Sequence, residues 1–183
     1  MAVKNKIIRN LKTGHQTKFL QTAKDTNGEL LEMEATYHAH STEPVAHYHP
    51  FQEEDFTILE GTLTVRIDGE LRILKPGDTL HIPVNKVHSM WNNGDGMTVV
   101  NWKVRPAMTT EYFLETATGL FNDDKANSQG KLPLLQTALL ANKYGPVFRL
   151  AKPPYWVQRI LFFILAPIGY LMGYRARYEE YLD

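Results

Sequence analysis

Three histidines and one carboxylate in the first half of the chain are the side chains best suited to hold a transition metal. His47 and His49 stand two residues apart, Glu54 follows five residues later, and His88 lies further along. Residues two apart in a strand face the same way, so the imidazoles of His47 and His49 can point inward together. The chain has no cysteine, so any metal must be held by imidazole and carboxylate ligands.

Strand parity selects the carboxylate among the acidic residues that follow His49. In a strand starting at residue 53, Glu54 shares a face with Phe56 and Ile58, whereas Glu53 lies on the opposite face. The face that carries Phe and Ile should be buried, and a carboxylate buried there needs a metal or hydrogen bonds to offset its desolvation. We therefore predict Glu54 as the ligand and Glu53 as its solvent-facing neighbour.

The spacing of these residues resembles the two sequence motifs of the cupin superfamily. The first motif is HxH, four residues, Glu, six residues and Gly, and it corresponds to His47, His49, Glu54 and Gly61. The second motif corresponds to Gly77, Pro83, His88 and Asn92. Ser41 and Asn85 replace two glycines of the motifs, and Asn tolerates the positive φ that such a turn requires. The resemblance covers roughly residues 30–105 and leaves all four ligand positions intact.

This resemblance implies a metal centre inside a double-stranded β-helix, a jelly-roll barrel. Four protein ligands would leave an octahedral metal one or two open positions, and iron, manganese, nickel, copper and zinc all accept such a set. Cupins with this quartet include dioxygenases, decarboxylases, isomerases and lyases. We expect a metal-dependent, dioxygenase-like oxidoreductase for a small organic molecule, in which Glu54 is both a ligand and a catalytic proton acceptor.

Other readings of the quartet remain open. The four side chains could satisfy one another in a core without a metal, or hold a metal in a protein that binds or senses a small ligand without turnover. A sugar isomerase or epimerase is a further alternative, although no supporting residues identify it. His38, His40 and His81 lack partners at matching spacing, so we expect them at the surface, at the barrel mouth or on an outward strand face.

Apolar residues near the motifs should form the barrel core and also line a substrate pocket. Small-molecule pockets are mostly apolar with few polar groups. We expect Phe56, Met90, Asn92 and Trp102 to contribute to this pocket. Asn92 shares strand parity with His88, and either an orienting or a purely structural role suits it.

The elements that must position these residues are short strands. Residues 1–105 alternate apolar and polar side chains, with turn signals at Asn27-Gly28, Asp68-Gly69 and Pro76-Gly77. No long helical pattern interrupts them, which favours an antiparallel sandwich or barrel. We predict a mainly β chain with a cupin barrel domain at residues 1–105 and a helical extension at residues 106–183.

The extension contains three helical patterns. Residues 109–120 and 132–144 should form the first two helices, and a third segment follows Pro153-Pro154. Pro167 should break or kink this third segment at Ala166. Residues 160–174 contain no charge but reach only about 22 Å as a helix, which is short of a bilayer core.

This apolar segment needs a partner surface. We expect it to pack on the barrel or across a homodimer, and residues 155–174 lying on a membrane surface are the alternative. Lys plus Arg equals Asp plus Glu at 20 each, which argues against nucleic acid as a partner. The first residues lack the apolar core of a signal peptide, so we expect a cytoplasmic location.

Overall fold

The computed structural model describes residues 2–127 and 131–182. This part of the chain contains eleven strands, three α-helices and a short 3₁₀ turn. The strands are β1 Ile7–Arg9, β2 Gln16–Gln21, β3 Leu31–Tyr37, β4 His47–Tyr48, β5 Glu53–Glu60, β6 Leu63–Ile67, β7 Glu70–Leu74, β8 Thr79–Ile82, β9 His88–Trp91, β10 Thr98–Arg105 and β11 Arg149–Leu150. The helices are α1 Thr110–Asn122, α2 Leu134–Tyr144 and α3 Tyr155–Leu171, and the 3₁₀ turn is Glu179–Tyr181.

The strands form two antiparallel sheets with an apolar core between them. One sheet has the order β1-β2-β3-β10-β5-β8, and the other has the order β11-β4-β9-β6-β7. Buried residues from both sheets meet in one cluster, with Phe56 and Ile58 from one sheet and Val65 and Met90 from the other. The predicted fold class, mainly β with C-terminal helices, is confirmed.

Alternation along β5 places its acidic residues on opposite sides of the sheet. Glu54, Phe56 and Ile58 are buried, whereas Glu53 is exposed. The pairing of Glu54 with Ile82 and of Phe56 with Leu80 fixes this register from the neighbouring strand. A slip by one residue would move every side chain of β5 to the other face.

Two turns require residues that tolerate a positive φ. Asp68 and Gly69 both have positive φ, 47° and 93°, and they join β6 to β7 as a two-residue hairpin. Asn85 has a φ of 62° in the loop before β9, so the asparagine adopts the conformation that glycine would otherwise supply.

Helices α1 and α2 lie close to their predicted positions, whereas the third helix has no break at Ala166, which was one of the two outcomes predicted there. α3 does not end at Ala166 and continues through Pro167 to Leu171. Proline removes the hydrogen bond to the carbonyl four residues earlier, which belongs here to Phe163. Phe163 and Pro167 are both exposed, so water can satisfy that carbonyl.

The chain returns from the helices to the barrel before α3 begins. β11 pairs with β4, Arg149 opposite Tyr48 and Leu150 opposite His47. We call residues 147–150 the strap. The strap lies outside the predicted barrel domain of residues 1–105, yet it supplies the edge strand beside His47.

α3 packs against α2 along a narrow stripe. Gln158, Phe162 and Gly169 are its buried residues, and Gly169 lies close to the side chain of Leu139. Most of its large apolar side chains are exposed. Within residues 2–127 and 131–182, no helix is both long enough and apolar enough to span a bilayer.

Candidate metal centre

Three different strands bring the predicted ligands together. His47 in β4 is the direct register partner of His88 in β9, so their side chains share one face of the sheet. His49 follows β4 directly, and Glu54 points inward from β5 of the opposite sheet. One ring nitrogen from each of the three histidines lies within 4.8 Å of the other two, a cluster that can hold a metal ion.

Backbone carbonyls orient all three imidazoles. Each ring uses its Nδ1 for a hydrogen bond, and the acceptors are the Val45 carbonyl for His47 (3.0 Å), the Lys86 carbonyl for His88 (2.9 Å) and the Val147 carbonyl for His49. A hydrogen bond of this kind places the proton on Nδ1 and leaves the Nε2 lone pair for a metal.

Glu54 completes the set from the opposite sheet. Its Oε2 lies 3.2 Å from His49 Nε2 and 3.0 Å from His88 Nε2. The indole Nε1 of Trp102 donates a hydrogen bond of 2.9 Å to Oε1, which holds the carboxylate in this orientation. Among the described residues, His49 Nε2 and Glu54 Oε2 are buried without a hydrogen-bond partner. Two buried acceptor atoms that face each other without a hydrogen bond can both be satisfied by one metal ion between them.

The electrostatics of the centre favour a cation. Burial alone would raise the pKa of Glu54, but the imidazoles of His49 and His88, whose Nε2 atoms lie 3.2 and 3.0 Å from Oε2, hold that pKa below its ordinary range. Burial lowers the pKa of His47 to about 3, with smaller contributions from the neighbouring His88 and His49. Burial also favours neutral His49, yet the Glu54 carboxylate outweighs it and raises the pKa of His49. The buried carboxylate is thus stabilised by positive charge at the point where the ring nitrogens converge.

The donor atoms of this centre are imidazole nitrogens and a carboxylate oxygen, and no thiolate is present because the chain has no cysteine. Three imidazoles and one carboxylate suit a divalent transition metal, and four ligands leave open positions on an octahedral ion. The residues present therefore fit the group that the motifs imply.

Sequence reasoning missed the strap as part of this centre. Phe148 stacks on the His47 ring with centroids 4.7 Å apart and planes at 25°, and it lies 6.5 Å from the ring of His49. The strap also supplies the Val147 carbonyl that orients His49. The segment between Gly145-Pro146 and Pro153-Pro154 is only six residues long, Val-Phe-Arg-Leu-Ala-Lys, and carries no clear periodic signal of a strand.

A variant of Phe148 tests the role of the strap. We expect Phe148→Ala to weaken metal binding by about tenfold, because outer-shell groups that shield and orient ligands contribute effects of this order. Competition with a metallochromic chelator measures the affinity. Phe163→Ala, which removes the same side chain from an exposed position on α3, is the control and should leave metal affinity unchanged. Equal affinities for Phe148→Ala and the parent protein would remove the strap from the centre.

The predicted pocket residues lie in two settings. Phe56, Met90 and Trp102 pack in the barrel core, where the rings of Phe56 and Trp102 stack 5.8 Å apart. Asn92 is fully buried at the end of β9, and its amide donates to the carbonyls of Gly96 (2.7 Å) and Tyr37 (3.3 Å). Its Oδ1 accepts a hydrogen bond from the Gly94 amide. These contacts favour the structural role for Asn92.

Asn92 should therefore matter for stability more than for metal binding. We expect Asn92→Ala to lower the free energy of unfolding by about 2–3 kcal/mol, since three hydrogen bonds of a buried side chain are lost. Urea denaturation measures this change. The metal content of the folded variant should equal that of the parent, and a loss of metal with unchanged stability would favour the orienting role instead.

The other histidines lie apart from the centre. His38 and His40 are exposed, and His40 Nε2 lies 3.2 Å from Asp95. His81 faces outward from β8 and its Nδ1 lies 2.8 Å from Asp55. They occupy the surface positions that we expected for them.

Comparisons with known proteins agree with the fold and the motifs. The family model described as "Cupin domain" matches residues 33–102. A stretch of 45 residues is 51% identical to quercetin 2,3-dioxygenase of Bacillus subtilis, and a stretch of 49 residues is 43% identical to polyketide synthase CurC of Streptomyces cyaneus. These stretches are 25% and 27% of this chain but only 13% and 32% of the two relatives, so the chain matches a minor part of each.

Solved structures are similar in fold at low sequence identity. A predicted oxalate decarboxylase from Thermotoga maritima superposes with a TM-score of 0.50 at 18% identity, over 58% of this chain and 99% of that protein. An RmlC-like cupin from Shewanella frigidimarina gives a TM-score of 0.48 at 20% identity, over 57% and 86% of the two chains. At this level of identity the similarity concerns the fold alone.

Proposed function

We propose that this chain, whose residues 33–102 match the family model of the cupin domain, is a metal-dependent enzyme that acts on a small organic molecule. The observation that carries the proposal is the cluster of His47, His49 and His88 beside the buried Glu54, with His49 Nε2 and Glu54 Oε2 lacking hydrogen-bond partners. Oxygen insertion is the reaction class that we favour. The local similarity to a quercetin 2,3-dioxygenase supports this choice.

The residues around the centre would have separate roles in binding and orienting a metal and a substrate. A bound divalent metal would supply a Lewis-acid centre with open positions for substrate oxygens and dioxygen. The three histidines hold their Nε2 atoms toward one point because backbone carbonyls fix the Nδ1 side of each ring. Trp102 holds Oε1 of Glu54, so Oε2 is the atom that binds a cation or accepts a proton from a substrate.

The surroundings of the centre suit an apolar or aromatic substrate. Phe56, Ile58 and Met90 line the barrel interior, and Phe148 covers His47 from the strap. An environment that excludes water strengthens each electrostatic contact with the substrate. We expect a flat phenolic or diketone compound to fit this chemistry better than a charged sugar phosphate.

Metal content and turnover together test the proposal. Protein loaded in turn with iron, manganese, nickel, copper or zinc is mixed with a panel of phenols and β-diketones, and oxygen consumption is followed with an electrode. We expect oxygen uptake that needs metal, substrate and an intact His49. Full metal occupancy with no consumption and no product from any compound would contradict an oxygenase.

A non-catalytic binding or sensing protein is the second candidate. The observation in its favour is the closure of the centre, since His49, Glu54 and His88 are buried and Phe148 covers His47. Such a protein would bind a compound from the same panel, with a shift in thermal melting, and return it unchanged. Mass spectrometry of the recovered compound separates the two candidates.

A further inference from the structure

α3 exposes a series of large apolar side chains along one face. Among its side chains, Trp156 is 68% exposed, Phe163 is 78% exposed and Leu171 is 89% exposed. Ile160, Ile164 and Ile168 lie on the same side at helical spacing and are exposed too. A continuous apolar surface of this kind on a folded chain marks an interaction site. We call this surface the α3 face.

The charge around the α3 face is strongly asymmetric. Residues 125–183 contain eight Lys and Arg and three Asp and Glu, whereas residues 1–124 contain twelve Lys and Arg and seventeen Asp and Glu. One of the three acidic residues, Glu179, pairs with Arg177 at 2.8 Å. The neutral total of the chain therefore hides a basic helical segment and an acidic barrel. Basic flanks on an apolar helix favour an anionic surface as the partner.

Basic side chains converge at both ends of α3. Near its start, Arg149 and Arg159 line a hollow between α2, the strap and α3. Near its end, Lys143, Arg175 and Arg177 line a second hollow together with the exposed Tyr170. Arg149 lies over the Tyr155 ring at 3.7 Å. Cations together with aromatic rings at both ends are the pattern of a helix that lies in a membrane interface.

The length of α3 fits this orientation and excludes a spanning one. Its 17 residues reach about 25 Å, which is less than the roughly 30 Å of a bilayer core. A helix in the plane of the interface needs only to bury one face, and α3 has its opposite side packed on α2 through Phe162 and Gly169.

Charge also decides between a lipid surface and a second copy. A two-fold dimer through the α3 face would bring the same basic segment of both copies together, since such an interface uses one patch twice. Like charges at short range repel one another. An anionic bilayer instead offers the opposite charge to both hollows.

We propose that the α3 face and the two basic hollows bind an anionic membrane surface. The apolar side chains enter the interfacial region, and the Lys and Arg side chains at both ends contact lipid phosphates. The barrel and its metal centre then lie on the side of α2 away from the lipid.

Co-sedimentation of the full chain with vesicles tests this proposal. We expect at least tenfold stronger binding to phosphatidylcholine vesicles that contain phosphatidylglycerol than to phosphatidylcholine alone, and weaker binding as salt is raised. The triple variant Ile160→Ser, Phe163→Ser, Leu171→Ser should lose at least tenfold in binding. A matched triple variant on the barrel side, Leu11→Ser, Ile73→Ser, Met97→Ser, replaces equally exposed apolar residues and should bind like the parent.

Charge variants separate the basic hollows from the apolar face. Lys143→Glu with Arg175→Glu should weaken binding to anionic vesicles by about tenfold, whereas Arg72→Glu with Lys75→Glu on the barrel should not. Thermal melting and metal content show that each variant is folded. Equal binding to neutral vesicles, or no binding to either kind, would overturn the proposal. A dimer in light scattering that the α3 triple variant converts to monomer, without vesicle binding by the parent, would assign the face to a second copy.

Discussion

Replacement of His47, His49 or His88 by alanine should remove most of the metal from a protein that otherwise carries about one ion per chain. Each substitution deletes one Nε2 from a cluster whose members lie within 4.8 Å of one another. We expect affinity to fall by about 100-fold or more, since even outer-shell groups contribute 10–100-fold. Elemental analysis after dialysis against a weak chelator gives the stoichiometry.

The other histidines provide matched controls for this experiment. His38→Ala and His81→Ala remove the same side chain from exposed positions, and His81 is engaged with Asp55 outside the barrel. Both variants should keep the full metal content. A His49→Ala protein that remains fully loaded would contradict the metal centre and favour a quartet that only satisfies its own charges.

The three histidines and Glu54 could be predicted because the information is local. A period of two in β5 decides which carboxylate is buried, and the burial of Glu54 beside exposed Glu53 follows from Phe56 and Ile58 alone. The two-residue spacing of His47 and His49 likewise predicts, from the period of a strand, that both imidazoles face the same side. The assignment of His88 to the same centre joins the two motifs, and the resemblance to cupins supplied it; the pairing of His47 with His88 comes from the structure.

The strap could not be predicted because its contact with the centre is non-local. Val147 and His49 are 98 residues apart, and a two-residue strand such as β11 leaves almost no periodic signal. Three helical and loop segments intervene, and their packing decides whether residues 147–150 return to β4. A break of α3 at Ala166, one of the two outcomes predicted for Pro167, is wrong, because the cost of a helical proline falls when the freed carbonyl faces water.

Trp102 was predicted as an apolar pocket residue, and its indole has a second role. The hydrogen bond from Nε1 to Glu54 Oε1 joins β10 to β5, whose register places Trp102 directly opposite Phe56. Apolar burial of tryptophan is predictable from its type, whereas the partner of its one N–H depends on that register. The orientation of Glu54 thus depends on Trp102, a residue that lies outside the two sequence motifs.

Glu54→Gln should reduce metal affinity by about 100-fold, whereas Glu53→Gln should leave it unchanged. The amide keeps the shape of the carboxylate but removes the negative charge that faces His49 and His88 at 3.2 and 3.0 Å. The Trp102 indole can still donate to the remaining oxygen, so the fold should survive, and circular dichroism checks that it does. Glu53 is exposed on the opposite face of β5 and is therefore the matched control. Isothermal titration with manganese or zinc measures both affinities, and equal losses in the two variants would mean that the register of β5, and with it the assignment of Glu54, is wrong.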